Sequence, residues 1–279
     1  VTISPTCFNC CSSISSFTVT SAEEVLFGEK TFEGCTSLHT VTIDVKSKLD
    51  IGDRCFYGAK NLNMISFSGN DVIIGKFCFY NCYSIPSFTL LNSQRVFLGD
   101  YAFESCSGLN TVSITAKTEF QAGINCFYKA YKLDSFHIIS KKVIINSNCF
   151  LNCSSLEIFT IASGVEALLD EKAFEGCKNL ETVDVLAIER IKASIFCFNK
   201  DYKLKTVKID SRSILYGGHC FDNCSSLSIV NCPSANEINF YKSSFNGLHY
   251  SECLRCPPTT KIIEIEYRPN QNENECLIF

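Results

Sequence analysis

The chain has 279 residues, of which 46% are hydrophobic and 19% charged, with a net charge of −4 and 19 cysteines. That balance offers no basic stripe to displace counterions from phosphates, which argues against a nucleic-acid partner. No apolar run reaches transmembrane length.

From the N-terminus onward a phenylalanine returns every 23 or 24 residues: Phe8, Phe32, Phe56, Phe79, Phe103, Phe127, Phe150, Phe174, Phe198, Phe221 and Phe245. Six residues after each of the first ten stands Leu or Ile, from Ile14 and Leu38 to Leu204 and Leu227. A repeat this short cannot bury its own apolar face, so neighbouring coils must stack into one continuous core.

One coil serves for all. Leu38-x-x-Val41-x-Ile43 alternates as a half-buried strand, which turns Thr42 outward. The polar stretch from Asp44 to Lys48 reads as a turn, and Leu49 with Ile51 as a second, shorter strand. Glycine recurs four residues before the phenylalanine, as at Gly28, Gly52, Gly75, Gly99, Gly123 and Gly217. It suggests a bend that needs either positive φ or close backbone approach. Asn146 and Asp170 replace it in two coils and tolerate the left-handed region. The Phe-x-x-Cys segment reads as a tight, roughly helical return. Stacked coils then form a parallel sheet with strands about 4.8 Å apart.

The phenylalanine spacings run 24, 24, 23 and repeat, so three coils make a 71-residue block. The cysteines obey it. One coil type has Cys before and after the phenylalanine (Cys78 and Cys82), the next only after (Cys106), the third only before (Cys126). Two readings stand for these thiols. Disulfides between coils would join Cys55–Cys78, Cys82–Cys106, Cys126–Cys149, Cys153–Cys177 and Cys197–Cys220, which strand spacing permits. A ladder of buried reduced thiols is favoured, because Ala, Thr or Ser fill the same columns where Cys is absent. Asp201 breaks that pattern.

The outward positions of the main strands form a polar column: Thr18, Thr42, Ser66, Thr89, Ser113, His137, Thr160, Asp184, Lys208 and Asn231. Members Thr42 to Lys208 are the candidate binding residues. A solvated sheet face, where Thr simply suits a strand, explains any single one as well. His137 has no regularly placed acid or nucleophile, so no catalytic residues are expected. Toward the C-terminus, Cys253-x-x-Cys256 with Cys232 suggests closure of the core rather than zinc, and no metal or cofactor is expected. Lys261 to Tyr267 reads as a last strand with Ile263, Ile265 and Tyr267 inward. Cys276-Leu277-Ile278-Phe279 matches a prenylation box, making Cys276 a lipidation candidate. Two glycosylation sequons, at Asn152 and Asn223, arise from the repeat consensus and are discounted.

The unit CFxxCxxLxxVxI, with Ile-Gly ahead of the next phenylalanine, resembles the BspA-like leucine-rich repeat family. Ile51-Gly-Asp-Arg-Cys-Phe56 and Ala173-Phe-Glu-Gly-Cys-Lys-Asn-Leu180 carry the likeness, which covers roughly residues 7 to 250. The expected fold is a mainly β leucine-rich repeat solenoid, a shallow horseshoe of about ten coils with a parallel β-sheet on the main-strand face. Residues 1–250 would form the solenoid and 251–279 a C-terminal cap and tail. The resemblance implies a surface-associated protein of bacteria or of protists such as Trichomonas and Entamoeba, in adhesion and protein binding, with host or matrix proteins as partners. The expected location is the cell surface or plasma membrane. The alternative is an intracellular scaffold on the cytoplasmic face of a membrane, anchored through Cys276.

Overall fold

The computed structural model describes residues 1–266. One sheet runs through it, with every pairing parallel. Strands of 12 residues lie at Ser16–Phe27, Thr40–Ile51, Ser87–Leu98, Thr111–Ala122, Ile158–Leu169 and Thr182–Ala193, and one of 11 at Ser135–Ile145. In other coils the strand is split, as at Met64–Ser68 with Asp71–Ile74 and at Thr206–Asp210 with Ser213–Tyr216. Helix is confined to a 3-10 turn at Lys242–Phe245 and one short α-turn at Tyr250–Cys253 among the described residues.

The core follows from the repeat. Phe32, Phe56, Phe79, Phe103, Phe127, Phe150, Phe174, Phe198 and Phe221 are fully buried. Their rings stack on one another along the solenoid, with centroids 5.3 Å apart at Phe32–Phe56, 5.3 Å at Phe127–Phe150 and 5.1 Å at Phe150–Phe174. Phe8 and Phe245 extend the column at both ends, at 5.0 Å from Phe32 and 5.2 Å from Phe221. The eleven phenylalanines therefore line one column, the last ring tilted against its neighbour. Beside them run the buried leucine column (Leu38, Leu62, Leu109, Leu133) and the inward strand residues such as Val41, Ile43, Leu49 and Ile51.

Some local expectations are corrected. Asp44 to Lys48 is not a turn: Thr40–Ile51 is one strand that bends, with Val45 buried at the corner. The bend shows as register shifts against the preceding strand, between Val19 and Ala22 and again between Ala22 and Glu24. Bending a strand keeps its backbone groups hydrogen-bonded to neighbouring coils, which a polar turn would forgo.

The recurrent glycine answers close approach, not positive φ. A Cβ on Gly99 would lie 2.7 Å from the carbonyl carbon of Gly75, and one on Gly75 2.6 Å from that of Gly52. Neither these glycines nor Asn146 and Asp170 have positive φ. The left-handed positions are two before and two after the phenylalanine: Arg54 (φ 55°) and Gly58 (φ 69°) around Phe56, Asn148 (φ 58°) and Asn152 (φ 61°) around Phe150.

Those residues rule out a helical return. The segment is a run of tight turns, closed by Cys55 N–H to Gly52 O (3.3 Å) and Ala59 N–H to Phe56 O (3.0 Å). In both, positive φ falls at the third turn residue, as a type II turn requires. Alternate amides reach the next coil, with Arg54, Phe56 and Gly58 donating to Lys76, Cys78 and Tyr80 at 2.7, 2.9 and 2.9 Å.

The parallel ladder continues past residue 250. Leu254 pairs with Val230, and Lys261–Ile265 pairs with Glu237–Tyr241. This register corrects the last strand. Ile262 pairs with Ile238 in the inward column, whereas Ile263 pairs with Asn239 on the outward side and Ile265 with Tyr241, which is itself buried. Ile262 is 44% exposed because no further coil covers it in the described structure. Tyr267 lies outside the described residues.

Candidate functional site

Register places the predicted polar column on the outer face of the main strands. Thr18, Thr42 and Ser66 are cross-strand partners, as are Thr89, Ser113, His137, Thr160, Asp184, Lys208 and Asn231 in succession. All keep solvent access. His137 Nδ1 lies 2.7 Å from Thr160 Oγ1, and Lys208 Nζ lies 3.5 Å from Asp184. Two further columns flank this one and were missed. Thr40, Met64, Ser87, Thr111, Ser135, Ile158, Thr182 and Thr206 lie on one side, and Asp44, Ser68, Leu91, Thr115, Ile139 and Asp210 on the other. Their signal was present, since each lies two residues from a predicted outward position. The result is a continuous surface, three side chains wide. Its hydroxyls both donate and accept hydrogen bonds, and Met64 (58% exposed), Leu91 (56%) and Ile139 (49%) are apolar contacts on it.

The second-strand face carries a pattern that the sequence reading also missed. Eight residues before each phenylalanine, the cross-strand partners run Glu24, Lys48, Asp71, Arg95, Glu119, Lys142, Glu166, Arg190. Acid and base alternate at every step. Ser213, Glu237 and Lys261 then continue the column out of phase. Arg95 holds Asp71 through two hydrogen bonds of 3.0 and 2.6 Å, Lys142 pairs with Glu119 at 3.2 Å, Arg190 with Glu166, and Lys261 with Glu237 at 3.4 Å. The Arg95 hydrogen bonds draw the Asp71 carboxyl below its ordinary range. Exposed pairs contribute about 0–1 kcal/mol each, so the ladder sets surface pattern more than stability.

The described cysteines are free thiols. Those after the phenylalanine donate S–H to the phenylalanine carbonyl of the preceding coil: Cys82 to Phe56 O at 3.1 Å, Cys106 to Phe79 O at 3.0 Å, Cys177 to Phe150 O at 3.2 Å. Burial pushes the Cys78, Cys106, Cys149, Cys177 and Cys197 thiols well up, away from thiolate chemistry. Asp201 occupies this column between Cys177 and Cys224, fully buried, with neither carboxyl oxygen hydrogen-bonded. Burial raises its pKa strongly, and the nearby amides of Cys177 and Gly176 oppose that without making a hydrogen bond. Cys253 is buried under the terminal turn, its thiol 3.7 Å from Tyr250 O. Among the described residues no three His, Cys, Asp or Glu side chains are grouped to hold a metal ion. No described helix is long and apolar enough to cross a membrane. Cys276 lies outside the described residues.

A BspA type leucine rich repeat profile matches in six copies, over residues 1–124, 73–197 and 121–252. The chain belongs to the BspA-type leucine-rich repeat family. Solved structures similar to it include a leucine-rich repeat protein from Bacteroides ovatus, at 18% identity, 95% coverage of this chain and 87% of that one, TM-score 0.36. A leucine rich cell surface protein from Faecalibacterium prausnitzii shows 16% identity, 82% coverage of each chain and TM-score 0.33. The pneumococcal vaccine antigen PcpA shows 12% identity, 95% and 79% coverage and TM-score 0.31. No curated protein matches. BspA-type solenoids are typically non-catalytic, and the family suggests protein interaction or surface adhesion.

Proposed function

We propose that this BspA-type chain is a non-catalytic protein-interaction module, acting in adhesion at a cell surface and binding protein ligands through the main-strand face. The carrying observation is the width and continuity of that face. Two outward columns, dominated by Thr and Ser, hold one register over successive coils, and a third flanks them at the bend. A surface of short hydroxyl side chains loses little rotamer freedom on binding and suits an extended protein partner. Thr42, Ser66, Thr89, Ser113, His137, Thr160, Asp184 and Lys208 form its midline.

Capture of host-surface or matrix proteins by the wild-type chain is compared with capture by Thr42→Lys and Thr89→Lys, using Lys142→Gln on the other face as control. Loss in the first two variants alone supports the reading; equal capture by all removes the main-strand face from consideration. A second reading rests on the Cys276-Leu277-Ile278-Phe279 motif and makes the chain a membrane-anchored scaffold. The intact mass of native protein separates the two. A prenyl adduct on Cys276 supports the scaffold, and glycans on Asn152 or Asn223 support exposure outside the cell.

A further inference from the structure

The phase slip in the charge ladder coincides with a cleft. Its volume is about 340 Å³, and its lining includes Leu168, Lys192, Ser213, Leu215, Asn239 and Ile265, on the outer face of the second strands. The floor is the column next to the ladder: Leu168, Lys192, Leu215 and Asn239 are successive cross-strand partners. Leu168, Leu215 and Ile265 make it apolar.

Two features give the cleft a charge preference. In the regular part of the ladder the rung after each base is a carboxylate: Asp71 follows Lys48, Glu119 follows Arg95, Glu166 follows Lys142. The rung after Arg190 is Ser213, whose short side chain leaves room where a carboxylate would stand. Lys192 lies beside that gap, between Leu168 and Leu215. It is partly buried, and among the described residues no carboxylate lies within ion-pair distance of its ammonium. The acids on the rim are engaged, Glu166 with Arg190 and Glu237 with Lys261 and Asn239. Burial pulls the Lys192 pKa down, Asp170 acting in the opposite direction.

Dimensions bear on the occupant. The lining comes from five neighbouring strands, Ile158–Leu169 to Lys261–Ile265, so the cleft runs over four strand spacings, about 19 Å at about 4.8 Å each. An extended peptide covers that length in about six residues.

We propose that this cleft binds an extended acidic segment of a partner protein, with a Glu or Asp carboxylate seated over Ser213 against Lys192 and aliphatic neighbours on Leu168, Leu215 and Ile265. The incoming carboxylate fills the vacant rung of the ladder. The site is separate from the main-strand face, so either can fail without the other.

The test is fluorescence anisotropy of the full chain with a labelled six-residue peptide, blocked at both ends, carrying one glutamate between leucines. Saturable binding is expected below about 1 mM. A glutamine counterpart, Lys192→Gln, and Ser213→Glu, which supplies the missing carboxylate from the chain itself, should each weaken it about tenfold or more. Lys142→Gln should leave it unchanged. Circular dichroism checks folding, and if Lys192→Gln does not fold, the solvent-facing Ser213→Glu decides. Octanoate separates a peptide from a free aliphatic acid. Equal binding of the glutamine peptide, unchanged affinity in Ser213→Glu, no saturation by about 1 mM, or saturable binding of octanoate but not of the peptide overturns the proposal.

Discussion

Replacing Asp201 by cysteine should stabilise the protein, and by an amount that grows with pH. Asp201 is fully buried and both its oxygens lack hydrogen bonds, while its column neighbours Cys177 and Cys224 each donate S–H to a phenylalanine carbonyl. A thiol at 201 is placed to do the same toward Phe174. An unsatisfied buried polar group costs about 1–3 kcal/mol even when neutral. The pH-dependent part comes from the raised pKa, caused first by burial. Above about pH 3.9 the unfolded carboxyl has released its proton, while the folded one keeps it. The folded state then binds more protons than the unfolded state, and wild-type stability falls as pH rises. The slope is about 1.4 kcal/mol per pH unit and ends once pH passes the folded pKa. Urea unfolding of wild type and Asp201→Cys from pH 4 to pH 8, with m unchanged, reads the difference directly. Other carboxyls cancel in the comparison. A gap that stays constant across this range would mean that Asp201 ionises as freely folded as unfolded, and the argument from burial would fail.

Phe150→Ala should cost about 3–5 kcal/mol in thermal or urea unfolding, since a fully buried ring is lost between Phe127 and Phe174. The same change at Phe8, partly buried at the end of the stack, should cost clearly less. Gly99→Ala should destabilise by about 1–3 kcal/mol because the new Cβ meets backbone. Gly58→Asn should cost less, since nothing lies within 4 Å of a Cβ there and asparagine tolerates its positive φ; equal losses would refute the close-approach account of the recurrent glycine.

The phenylalanine, leucine and cysteine columns were legible in the sequence because burial restricts each to a few residue types at a fixed interval. The midline of the main-strand face followed, as alternation turns Thr42 outward wherever Val41 and Ile43 turn in. The columns one pleat further follow from the same alternation but were not drawn from it, since Ser87 or Thr115 carries no apolar signal of its own. The charge ladder was harder to see. Glu119 and Lys142 share no chemistry as a type, and their relation exists only after folding brings residues 23 apart within 3.2 Å. The bend at Val45 and the crowding at Gly99 likewise depend on the neighbouring coil, not on local propensity.

The ladder also constrains how the solenoid can be lengthened. A block of three coils is odd, and an alternation of two signs is even, so a faithful copy of one block cannot extend the other. Glu24, Arg95 and Glu166 hold equivalent places in successive blocks and invert each time; Glu237, the next, does not. The final block keeps the signs of the one before it, Glu166 with Glu237 and Arg190 with Lys261, and the mismatch falls on uncharged Ser213. A designer who inserts another block must either invert every charge in it or accept a neutral rung at the splice, and each neutral rung opens a notch in the surface.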